Sequence, residues 1–331
     1  MTDVVVVGCG VAGCAAAATA IELGFDVTVY EAGSAGPLPS ALRSPDLNRA
    51  AEAPDWWWPD PYPAGRGLGG GSAVNGMIVQ QPPLMDEMLW WAWNGFDPVA
   101  SEPGPMARRV IEVAGARRDT AVEPVWLSVR DGFRQTAADV WLNAHPNLSV
   151  QSGVTVSASD VQAWSSAGRR VLLAAGAHRS PELVGLEPRP ARDHRSAVVG
   201  FTVPADLRSS GDRPAGTALI RLGDVQILVL EHTDSTREWG ALIVSAMVDQ
   251  SHSTLLADGI RAAIELLDDF GVAGTVRDEP APVAHACCTL TGIDTGVPVV
   301  DAATLPELPS VNPMLTVAAH ARRETWRLLH S

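Results

Sequence analysis

The stretch from Val4 to Glu31 constrains this chain more than any other. Val4, Val5, Val6 and Val7 make an unbroken β-branched run, the pattern of a strand buried on both faces of a parallel sheet. Gly8, Gly10 and Gly13 follow at GxGxxG spacing, and the alanine-rich segment CAAAATAIELG ends at Gly24, as a helix closed by glycine does. FDVTVYEAG then reads as a second strand carrying Glu31. In such a unit the first glycine makes the tight turn and the second lets backbone approach a pyrophosphate. The third allows close helix–strand packing, and the acidic residue takes the ribose hydroxyls. The strand–turn–helix–strand context favours a bound dinucleotide over a purely structural βαβ unit.

A second glycine-dense segment, AGRGLGGGSAVNGM at 64–77, is either a flexible linker or backbone pressed against a ligand. Apolar residues flank it instead of more Gly and Ser, which excludes the linker.

Gly65, Arg66, Gly69, Gly70, Gly71, Ser72 and Asn75 resemble, position by position, the first signature of the glucose–methanol–choline (GMC) family of FAD-dependent oxidoreductases. Further segments resemble that family in chain order: DGFRQTAADVWL (131–142), PNLSVQSGVTV (146–156), RRVLLAAGAHRSPELV (169–184), ARDHRSAVVGFTVP, and VPVVDAATLPELPSVNPMLTVAAHARRE (297–324). The resemblance implies non-covalent FAD, since no histidine lies within 64–77 to attach it. It assigns cofactor contacts to Gly8, Gly10, Gly13, Glu31, Arg66, Gly70, Gly71, Ser72, Asn75, Val154, Ala175, Gly176, Asp301, Pro313 and Met314. Val154 would meet the adenine through its backbone.

The implied fold is α/β: a doubly wound, Rossmann-like FAD-binding domain with a reduced α+β substrate domain on an antiparallel sheet. The first would comprise residues 1–80, 146–190 and 283–331, and the second 81–145 and 191–282. TALIRLGDVQILVLEH and WGALIVSAMVD supply alternating strands, and TLLADGIRAAIELLDDFG supplies an amphipathic helix. The Pro-rich stretch 59–63 is expected to be an ordered crossing loop. The chain is shorter than the family's usual members, which leaves a homo-oligomer or a partner chain to complete the substrate side.

Composition removes other classes. The formal net charge is −14, which disfavours a nucleic-acid partner. The sequence has no lysine, so Schiff-base chemistry and a P-loop lysine are absent. No apolar run is long enough to span a membrane. The opening segment lacks a basic n-region, and four cysteines are too few for a disulfide scaffold. A cytoplasmic protein with reduced thiols and a small-molecule substrate is expected.

Alcohol dehydrogenation needs a base for the hydroxyl proton and a flavin to receive hydride at N5. The resemblance assigns the base to His285, in VAHACCTLTG, and its companion to Asn312. A hydrogen-bonded core role is the competing reading of His285, and helix capping that of Asn312. Pro313 at the start of the following helix would aim the positive helix end at the flavin. A His285 base is expected to titrate near neutrality, and Cys288 replaces a family glycine in its loop. His178 and His194 read as structural. The tryptophans around 56–58 and 90–93 read as ordinary packing or as an aromatic wall over the flavin that favours an apolar or aromatic substrate. Two alternatives to the alcohol oxidoreductase are a flavoprotein with non-redox lyase or cyclase activity and a degenerate flavin-binding subunit.

Overall fold

The computed structural model describes residues 3–34, 36–58, 62–142, 145–247, 253–277 and 280–330. Residues 59–61 of the expected crossing loop lie outside these. Among the described residues no helix is long and apolar enough to cross a membrane.

Four strands form the first sheet: β1 (Asp3–Val7), β2 (Asp26–Glu31), β3 (Leu148–Ser152) and β4 (Arg170–Leu173). Their order is β4-β1-β2-β3, all parallel, and Val299 adds a parallel bridge to Leu173 at the edge. The valine run of β1 is buried on both sides, as its sequence required. Val4 and Val6 pack with α1 (Val11–Glu22). Val5 and Val7 meet Val161, Leu290 and Val299 on the opposite face. The sheet is therefore doubly wound. Its tight turn depends on glycine. A Cβ at Gly13 would sit 1.9 Å from the Gly8 carbonyl oxygen, so nothing larger lets α1 lie this close to the strand.

The second sheet is antiparallel, with β5 (Arg195–Thr202), β6 (Gly216–Leu222), β7 (Val225–Leu230) and β8 (Trp239–Ala246). Its order is β5-β8-β7-β6, with Ala121–Pro124 paired beyond β6. Strand alternation gives its faces different tasks. Ile220, Ile227, Val229, Leu242 and Val244 pack under the helices Pro105–Gly115 and Ser253–Phe270. On the other face Leu219, Leu228 and Ile243 align in register across three strands, beside the row Arg221, Gln226 and Ser245.

The segment 81–145, expected as a whole in the substrate half, divides between the two cores. Ala92 and Phe96, from the helix Glu87–Phe96, and Ala137, from the helix Ala137–Trp141, pack into the core around β1 and α1. Their apolar faces meet the C-terminal helix Met314–Leu329 and α1. Met106, Ala107 and Val110 pack into the core of the antiparallel sheet.

Candidate active site

The glycine turn and the 64–77 segment converge. Gly70 has φ +50° and ψ −127°, and a Cβ there would lie 2.7 Å from the Gly10 Cα. Only bare backbone allows these two loops to cross. At Gly71 an added Cβ would meet open space. The N-terminus of α1 begins after Gly10 without a side-chain cap, so its first amides and positive dipole end are left for an anion. Arg66 leans on Trp58, and its buried Nε has no protein partner. An uncapped helix, a close backbone crossing and an orphaned guanidinium nitrogen fit a diphosphate.

Glu31 is buried, and its carboxylate accepts from the backbone N–H groups of Cys9 (2.9 Å), Gly33 (2.7 Å) and Gly67 (3.0 Å). Burial pushes its pKa up, opposed by these amides and by Arg66. The residue expected to meet ribose thus also clamps three loops together. Its oxygens retain acceptor capacity beyond the three amides.

Several expected cofactor residues are held by protein groups. The Ser72 hydroxyl donates to the Gly69 carbonyl at 2.6 Å and accepts from the Ala137 N–H at 2.8 Å. Asn75 Oδ1 accepts from the Met77 N–H and from Arg134, and its amide nitrogen lies 3.6 Å from the Met314 sulfur. Asp301 is buried and accepts from the Gly176 N–H, the Ser180 hydroxyl and the Ala303 N–H. It thereby ties the turn at Ala175 and Gly176 to the segment after Val299. Val154 is 38% exposed, and its N–H donates to the Glu31 carbonyl.

Arg134 lies in the recognised segment 131–142 but was given no role from the sequence. Its guanidinium is buried and donates to the carbonyls of Leu42, Ser72 and Asn75. Burial lowers its pKa to about 10, so it stays charged at neutral pH. It fixes the end of the 64–77 segment from behind.

On the face of the antiparallel sheet turned away from its helices lies a cavity of about 830 Å³, lined by His194, His285, Asn312, Gln80, Gln226 and Trp126 among others. The His285 backbone N–H donates to both Asp193 carboxylate oxygens at 3.1 Å. Tyr62 donates to Asp193 at 2.9 Å and accepts from the Ala286 N–H. His285 sits between Ala284 (φ +63°) and Cys288 (φ +66°). Such left-handed non-glycine residues are strained and cluster at functional sites. At Cys288 the chain keeps a conformation that suits glycine.

His194, read as structural in the sequence, is the partner of His285. Their Nδ1 atoms are 3.0 Å apart, and His194 Nε2 lies 2.7 Å from the Pro309 carbonyl oxygen. A carbonyl only accepts, so His194 Nε2 carries the proton and its Nδ1 is an acceptor. His285 must then donate from Nδ1, which leaves its Nε2 with a free lone pair. Burial and the neighbouring His194 lower the pKa of His285 to about 3. The near-neutral titration expected from sequence is therefore corrected: desolvation keeps this ring uncharged at ordinary pH.

Asn312 lines the same cavity. Its Oδ1 accepts from the Met314 N–H at 3.3 Å, and its own N–H donates to Gln80 Oε1 at 2.9 Å. Pro313 occupies the N-cap position, one residue before the expected start. The tryptophans do not make a wall around this space. Trp56 is buried in a separate cluster, Trp91 stacks on Trp141, and Trp90 is exposed. The one that lines the cavity is Trp126. Cys287 and Cys288 form no disulfide, and their sulfurs lie 3.1 Å apart.

A family described as "FAD binding domain" matches residues 3–145. The fold is similar to that of pyridoxine 4-oxidase from Mesorbium loti, with TM-score 0.72, 15% identity and 100% of each chain covered. It is also similar to a variant of Aspergillus oryzae RIB40 formate oxidase, with TM-score 0.78, 12% identity and coverage of 99% of this chain and 98% of that one. A fungal aryl-alcohol oxidase gives 0.68 at 14% identity, with 99% of each chain covered. No curated protein matches by sequence. The glycine turn, the 64–77 crossing and the family match converge on one statement: residues 3–145 carry an FAD-binding domain, and FAD is its cofactor.

Proposed function

We propose that this chain is an FAD-dependent oxidoreductase of GMC type that dehydrogenates an alcohol group of a small, largely apolar substrate. The observation that carries this reading is the His194–His285 pair. It leaves a bare imidazole nitrogen on a residue that lines the cavity, next to a helix N-terminus. The likeness in fold to proteins named as oxidases, one of them an aryl-alcohol oxidase, supports it.

Gly10, Gly70, Gly71 and the start of α1 would hold the diphosphate, with Arg66 beside it. Glu31 would hold the ribose with its remaining lone pairs, and Pro313 and Met314 would face the ring system. Bound FAD supplies the acceptor for the carbinol hydride. His285 Nε2 takes the hydroxyl proton, and Asn312 orients the oxygen. His194 is a positioning residue that holds the tautomer of His285. Leu228, Ile243 and Trp126 line the apolar part of the chamber.

The test is anaerobic bleaching of the flavin by a panel of alcohols. His285→Ala should remain folded and yellow, yet reduce on the order of 10²–10⁴-fold more slowly. Bleaching at the parent's rate would overturn the assignment.

A further inference from the structure

The wall of the cavity formed by the antiparallel sheet carries one polar group that the proposed chemistry leaves unused. Gln226 lies on β7 in the row with Arg221 and Ser245, and it is only 5% exposed. Its Oε1 accepts from Gln80 Nε2 at 3.0 Å, while its own Nε2 is buried with no partner.

The direction of this chain is fixed at its far end. The Asn312 backbone N–H can only donate, so the Gln80 atom that meets it is the carbonyl oxygen. The Gln80 amide nitrogen must then point at Gln226, and Gln226 must offer its oxygen. Flipping either amide would set donor against donor or acceptor against acceptor. What remains is one NH₂ group, itself buried, on a residue that lines the cavity. A buried donor left unmade costs free energy, so a ligand that supplies an acceptor there gains what the empty site lacks. Leu228, Ile243, Val125 and Trp126 make the apolar part of the lining, while Arg221, the cross-strand neighbour of Gln226, is engaged by Glu123.

We propose that Gln226 Nε2 is a substrate-recognition subsite for a hydrogen-bond acceptor on an otherwise apolar molecule. The substrate is thus an alcohol that carries a second acceptor, such as a carbonyl, an ether oxygen or a ring nitrogen. Gln80 positions Gln226 and couples this subsite to Asn312. The proposal rests on the reading of the cavity as the substrate chamber.

Two non-reactive probes of nearly identical shape separate the possibilities: acetophenone, which has a carbonyl, and α-methylstyrene, which has a CH₂ in its place. Calorimetric titration of the FAD-loaded protein should give about tenfold tighter binding of acetophenone, the worth of one neutral hydrogen bond. Gln226→Met keeps the length of the side chain without its donor. It should bring the ratio of the two affinities close to one while binding of α-methylstyrene persists, which also shows that the cavity is intact. Equal binding of the two probes by the parent would overturn the subsite without need of any variant. So would an unchanged ratio in Gln226→Met. If neither probe binds, the subsite fails together with the reading of the chamber. If the tenfold ratio holds while His285→Ala is bleached at the parent's rate, the subsite stands and only the assignment of the base falls.

Discussion

Acidification of the protein should expose the buried state of His285 directly. In the unfolded chain this imidazole takes up a proton near its ordinary value of 6.5, whereas the folded chain resists protonation until about pH 3. Between those values the unfolded state binds more protons than the native state. Stability contributed by the neutral ring is therefore complete above 6.5 and is lost as pH falls toward 3. Each pH unit in that window corresponds to about 1.4 kcal/mol. From pH 7 to pH 5 the ring should account for about 1–2 kcal/mol, allowing for its edge on the cavity. His194, His178 and His320 are also held low by burial and steepen the same slope. Buried Asp193 and Asp301 are pushed up and oppose it. The measurement must therefore be a difference. Urea unfolding of the parent and of His285→Gln at pH 7 and pH 5 cancels the shared terms. The variant should lose about 1–2 kcal/mol less than the parent. Equal losses would refute the argument, because His285 would then protonate freely in the folded protein.

Other substitutions test the frame around the cofactor. Gly70→Ala would place a Cβ 2.7 Å from the Gly10 Cα at a backbone conformation reserved for glycine; it should lower retention of FAD on gel filtration and cost about 1–3 kcal/mol in urea. Glu31→Gln turns one acceptor oxygen into a donor facing backbone N–H groups, a loss of about 1–3 kcal/mol read as a lower Tm. Arg134→Met strands the carbonyls of Leu42, Ser72 and Asn75; a loss of about 2–4 kcal/mol is expected, together with faster proteolysis of the 64–77 segment.

The first unit was readable because its signals are local. Four successive valines can only be covered on both faces, and Gly8 and Gly13 answer to each other within one turn, by a positive φ at Gly8 and a Cβ-free approach at Gly13. The cavity was not readable for the opposite reason. His194 and His285 are ninety-one residues apart and meet only through the loops that leave the second sheet. Gln226 stood in plain view in DVQILVL, where alternation puts it on one face with Leu228. Nothing in that alternation says which face the helices cover. The helix Glu87–Phe96 posed the same difficulty, since its partner, the C-terminal helix, lies more than two hundred residues further on. The expected near-neutral histidine failed because sequence carries no measure of desolvation.

The parallel sheet also sets the order in which the protein can mature. β1 is flanked by β2 from its own neighbourhood and by β4 from more than 160 residues later. The edge at Val299 and the Asp301 link to Gly176 arrive later still. Closing such loops is slow because their entropy is lost before the contacts repay it. During synthesis the GxGxxG turn would emerge early, with β4 and the helix after Pro313 still missing. A full grip on the cofactor is thus a late event, and flavin supply should influence the yield of folded protein more than its rate of synthesis does.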